Sequence, residues 1–88
     1  MDRVAIKSTT LFRELDGETV LVDIDSGTYF GLDEVGTFIW NQIDEGVSIE
    51  DIPSRMTEVF EVEEDVARTD LDAFIQQLLE KGLVEAAS

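Results

Sequence analysis

The hydrophobic pattern of this chain changes period once. Over the first third, apolar and polar positions alternate: TTLFREL, then TVLVDI with Val20, Val22 and Ile24 set against Leu21 and Asp23, then TYFGL. A period of two sends successive side chains to opposite faces, so the three segments read as strands. Asp16-Gly17, between the first two, readily supplies the positive φ angles of a tight hairpin, and Asp25-Ser26-Gly27 separates the second from the third. The expected product is an antiparallel meander whose first and third strands each leave a row of backbone donors and acceptors open.

From Asp33 onward the period is helical. Asp33 is the expected N-cap of a first helix with Val35, Phe38, Ile39 and Ile43 on one stripe and Gly46 as its stop. Trp40 stands beside that stripe and reads as a partly buried packing residue. Ser48 and Asp51 form a capping-box pattern ahead of Ile49, Ile52, Met56, Val59 and Phe60, the stripe of a second helix running to about Phe60. Pro53 falls inside that helix and removes a backbone bond to residue 49, so its first turn is expected to bend or to start later. The third helix carries Ala67, Leu71, Phe74, Ile75 and Leu78 and ends at Gly82, with Leu83 and Val84 beyond it; Thr69 and Asp72 offer a restart signal within it. The predicted class is α+β, a three-stranded antiparallel sheet followed by three helices.

Length and composition narrow what such a fold can do. The 88 residues contain no repeat or linker and are expected to form one domain, 1–88, with a single modest core. Six Lys and Arg against 21 Asp and Glu give a net charge of −15, which repels nucleic acid and anionic lipid and favours a neutral or basic partner. The third helix offers Arg68 and Lys81 against Asp70, Asp72 and Glu80, too little to neutralise several phosphates. No apolar run approaches a membrane span and no signal-peptide pattern opens the chain, so the expectation is a cytoplasmic protein.

The chain has no histidine and no cysteine, which removes Ser-His, Cys-His and zinc–imidazole chemistry together. The acids Glu61, Glu63, Glu64 and Asp65 read as a solvated face. Asp23, Asp25 and Glu34 fit positions 1, 3 and 12 of a calcium loop, but Gly27 stands where an oxygen ligand belongs and Thr28 where the turn needs glycine. Asp25-Ser26 imitates the attachment motif of an acyl carrier protein, yet Gly27 replaces the expected leucine and the surroundings read as strands. No catalytic residue, cofactor or metal is therefore expected.

What these exclusions leave is the TYFGL strand, an open edge with Gly31 where a β-former would be more stabilising. Gly31 either relieves a bend before the first helix or admits close approach by another chain. Tyr29 alternates with Phe30 and Leu32, and the pattern does not fix which set faces the helices.

The run GTYFGLDEVGTFIW, the SIEDI helix start and DLDAFIQQLLEKGLVE together resemble the PqqD-like family of precursor-peptide recognition elements, from about Leu11 to Glu85. Leu32, Asp33, Gly36, Ile39, Trp40, Phe74, Leu78, Gly82 and Leu83 carry the resemblance, and Asp33 replaces an asparagine common among relatives. The form is most similar to the stand-alone leader-binding proteins of lasso-peptide pathways. The resemblance implies a non-catalytic, winged-helix-like element in which a precursor leader adds as an antiparallel strand to Thr28, Tyr29, Phe30, Gly31 and Leu32. Leu71, Phe74, Ile75 and Leu78 would then form the apolar groove or the layer beneath it. It also implies partners that do the chemistry: a transglutaminase-like leader peptidase and a cyclase. Alternatives are a peptide chaperone for a radical S-adenosylmethionine enzyme and, from another class, an acyl carrier modified at Ser26.

Overall fold

The computed structural model describes residues 3–87. The expected meander is present as β2 (Thr10–Leu15), β3 (Glu18–Asp23) and β4 (Thr28–Leu32), in that spatial order and antiparallel throughout. Asp16 and Gly17 take φ angles of 54° and 83°, the two positive values that a two-residue hairpin matching strand twist requires. Three helices follow: α1 (Glu34–Asp44), α2 (Ile52–Val59) and α3 (Glu64–Glu80).

The sequence pattern missed a second, two-stranded sheet. β1 (Val4–Ile6) precedes the meander and pairs antiparallel with β5 (Val84–Ala86) after α3. Each strand has three residues, too few for a period to register. Leu83, just before β5, helps to tie the two ends together: its carbonyl oxygen accepts from Thr10 Oγ1 at 2.9 Å and from the Lys7 N–H at 3.2 Å. The all-helical acyl-carrier alternative does not survive these sheets. Ser26, its modification site, lies between β3 and β4 within 2.9 Å of Thr28 Oγ1.

The helices begin and end for local reasons. The Asp33 carboxylate accepts from the Gly36 N–H at 2.8 Å and caps α1, while Gly46 and Gly82 adopt positive φ just past α1 and α3. The Ser48 side chain makes no cap hydrogen bond to the helix start. Instead a 3₁₀ turn, Ile49–Asp51, leads in, closed by the Asp51 N–H donating to the Ser48 carbonyl oxygen. The helix proper starts at Ile52, which puts Pro53 in the first turn, where its missing N–H breaks no helical bond. Thr69 and Asp72 mark no restart; α3 runs through them.

Leu21 of β3, Ile39 and Trp40 of α1, Ile52 and Met56 of α2, Leu71, Ile75 and Leu78 of α3, and Leu83 and Val84 form most of the core. Trp40 is wholly buried rather than partly so, and Phe12 meets it edge-to-face at 5.4 Å between centroids. The sheet packs one face on this core and leaves the other open. Register puts Phe12, Leu21, Phe30 and Leu32 inward, and Leu11, Val20 and Tyr29 outward, Tyr29 at 71% exposure. Among the described residues no helix is long and apolar enough to cross a membrane.

Candidate functional site

Strand geometry decides which backbone groups of β4 are open. In a two-residue hairpin the flanking pair, here Leu15 and Glu18, exchanges both hydrogen bonds, and the direction then alternates along each strand. The Ile24 N–H donating to Thr9 at 3.0 Å keeps this phase. Glu18, Val20 and Val22 therefore bond β2, and Thr19, Leu21 and Asp23 bond β4 through Leu32, Phe30 and Thr28. Tyr29 and Gly31 are left pointing their N–H and C=O groups away from the sheet.

Beside this edge runs a groove walled by α3. Its wider part, about 500 Å³, is lined by Gly31, Leu32, Val35, Gly36, Phe74 and Gln77, with Asp33 and Asp70 at its end. A narrower part of about 250 Å³ lies against Tyr29, Phe30, Leu78 and Lys81. The two share Gly31, Leu32, Phe74 and Gln77, so they form one trough along β4. Phe74 is half-buried at the middle of the wall, and the Lys81 ammonium lies 4.8 Å from the Phe30 ring centroid.

The two glycines of this region differ. A Cβ on Gly36 would stand 3.3 Å from Asp33 Oδ1 and Leu32 Cβ and 3.5 Å from the Phe74 ring, so glycine here lets the first turn of α1 lie against the groove wall. A Cβ on Gly31 would meet nothing within 4 Å, and Gly31 lies in regular strand pairing with Val20. Among the described residues neither a clash nor a positive φ requires glycine at 31, which argues against bend relief as its explanation.

Of the residues singled out from sequence, Thr28 to Leu32 form the edge and Phe74 lines the trough. Leu71 and Ile75 are buried beneath it in the core, and Leu78 is buried with part of its surface at the narrow end. The sequence reading passed over the polar residues of the wall. Asp70, Phe74, Gln77 and Lys81 recur every three or four residues and form one stripe beside the core stripe of Ala67, Leu71, Ile75 and Leu78. That spacing was the available signal, but one apolar residue among four does not look like a surface.

The family model described as Coenzyme PQQ synthesis protein D (PqqD) matches residues 18–84. Among solved structures, TbiB1 in complex with the TbiA(beta) leader peptide is 33% identical, with a TM-score of 0.90 over 96% of this chain and 98% of that one. Lasso peptide synthetase B1 complexed with the leader peptide is 26% identical, with a TM-score of 0.88 over 96% and 99% of the two chains. Comparison with curated proteins finds no match. The matched span runs from β3 through α3 to the start of β5 and so contains both walls of the groove: this chain belongs to the PqqD family.

Proposed function

We propose that this chain is a non-catalytic, winged-helix-like recognition element that binds the leader segment of a ribosomal precursor peptide in lasso-peptide biosynthesis. The leader adds as a strand to β4. One observation carries the reading: a helix-walled trough runs beside the β4 edge, where Tyr29 and Gly31 turn their backbone groups outward. The likeness to two chains solved with leader peptides supports it.

The energetics follow from that geometry. An incoming strand gains about four backbone hydrogen bonds, one per open N–H and C=O, at roughly 1 kcal/mol net each. Binding also costs several kcal/mol in lost freedom, so backbone pairing alone is insufficient. Apolar side chains of the leader seated against Phe74, Leu32 and Val35 supply the surplus, about 1.5–3 kcal/mol for each fully buried one. Thr28 to Leu32 thus give pairing, Phe74 gives the anchor, and Leu71, Ile75 and Leu78 hold the wall in place from below.

Catalysis then belongs to partners, a cysteine-dependent leader peptidase and a cyclase, and the chain contributes by raising the local concentration of substrate. A chain without histidine or cysteine suits that cytoplasmic delivery role. The alternative within the family, delivery to a radical S-adenosylmethionine enzyme, has less support because one of the two solved relatives is named as a lasso peptide synthetase B1. The test is a titration of isotope-labelled chain with the TbiA(beta) leader peptide, followed by amide shifts. The expected result is perturbation along Thr28 to Leu32 and around Phe74 with little change in β2. Shifts confined to β2 would defeat the site assignment.

A further inference from the structure

The groove carries opposite charges at its two ends. Asp33 and Asp70 line it beyond Leu32, and Lys81 lines it beside Phe30. Lys81 is the one basic side chain lining either part, on a chain with only six Lys and Arg. Neither Asp70 nor Lys81 is in a salt bridge: the one ion pair among the described residues joins Arg68 to Glu64. Asp33 uses one carboxylate oxygen on the Gly36 N–H. These end charges are therefore not neutralised by ion pairs within the fold. Lys81 is held over the Phe30 ring, at the mouth of the narrow part, where a ligand strand would leave.

Strand direction converts this into an order. Antiparallel pairing is the more stable ladder, so a strand added to β4 starts beside Leu32 and Asp33 and finishes beside Phe30 and Tyr29. The two ends of the groove lie three or four strand positions apart, roughly 10–14 Å at ~3.4 Å per residue. Side chains on the face turned into the groove recur every second residue. We infer that the groove reads charge order in its ligand: it selects a peptide strand with a basic side chain first and an acidic one about four residues later, apolar between them. The reversed order sets like charges against each other at both ends and is rejected. This inference rests on the leader-binding reading above and adds to it a polarity that backbone pairing alone does not provide.

The experiment uses the full chain and three versions of the TbiA(beta) leader peptide followed by fluorescence anisotropy. In one, charges flanking the paired segment are neutralised; in the second, the cation comes first; in the third, the order is reversed. The expected result is that the cation-first peptide binds roughly tenfold tighter than the reversed one at low ionic strength, with the gap closing in 1 M salt. Lys81→Glu should shrink or invert the gap, and Lys81→Gln should halve it on a logarithmic scale with the circular dichroism spectrum unchanged. Equal affinities for the two charge orders, with the neutral peptide still bound, would overturn the inference and leave leader binding standing. Binding of none of the three would overturn leader binding itself, and the inference with it.

Discussion

The two edges of the meander are nearly equal in backbone and unequal in surroundings. On β2, Thr10, Phe12 and Glu14 face away from β3, and Lys7 already accepts from the Thr10 N–H, so two residues stay open; on β4 the open residues are Tyr29 and Gly31. The β2 edge is occupied by its own side chains: Phe12 lies on Trp40, and Glu14 accepts from Asn41 Nδ2 at 3.0 Å. Its neighbour Arg13 adds a charge of the kind that discourages edge pairing. The β4 strand carries no charge, has glycine at an open position, and faces a trough against α3. An open edge is thus common to both, and what distinguishes β4 from β2 is the trough between it and α3.

The strongest test of that claim separates the two stripes of α3. Leu71→Ala empties a fully buried position and should cost about 2–5 kcal/mol of stability, enough to threaten folding of so small a chain. Phe74→Ala, one turn along, should cost less stability because the ring is only partly buried, while weakening leader binding roughly tenfold. Chemical denaturation and anisotropy on both variants give the readout. A Phe74→Ala chain that binds normally would leave β4 with no advantage over β2.

A proline placed on each edge compares them directly. At either open position the lost N–H belongs to no bond inside the sheet, so the fold should persist. Gly31→Pro removes one donor and sets a ring in the path of the incoming strand; affinity should fall about tenfold, of which a single hydrogen bond accounts for roughly fivefold. Glu14→Pro, the matched change on β2, should alter affinity less than twofold. If the two variants lose affinity equally, the ligand does not distinguish the edges.

The parts of this comparison that were legible in the sequence are those fixed by local chemistry. Asp16-Gly17 marked the hairpin, Asp33 the cap and Gly82 the stop, because each acts on backbone within a few residues of itself. Strand facing was not legible, since Val20 and Val22 are as apolar as Leu21 and only the helices decide which set they cover. The β1–β5 pair depends on contacts between the two ends of the chain, which no window of sequence contains. The groove was visible through family resemblance at Thr28 to Leu32 and Phe74. Its polar half, Asp70, Gln77 and Lys81, emerged only once α3 was placed beside β4.

The smallest expected effect is the one that most sharpens the role of Gly31. Valine is among the best strand formers and glycine among the poorest, a difference of up to about 1 kcal/mol in a host sheet. With open space around the position, Gly31→Val should fold and should raise the melting temperature by a few degrees. Its side chain would join Val20 and Tyr29 on the outer face, crowding the cross-strand neighbour that an added strand presents there. Affinity for the leader should therefore fall about threefold while stability rises. A drop in both would return Gly31 to a role inside the fold, whereas opposite signs mean that the glycine is kept for a chain that is not its own.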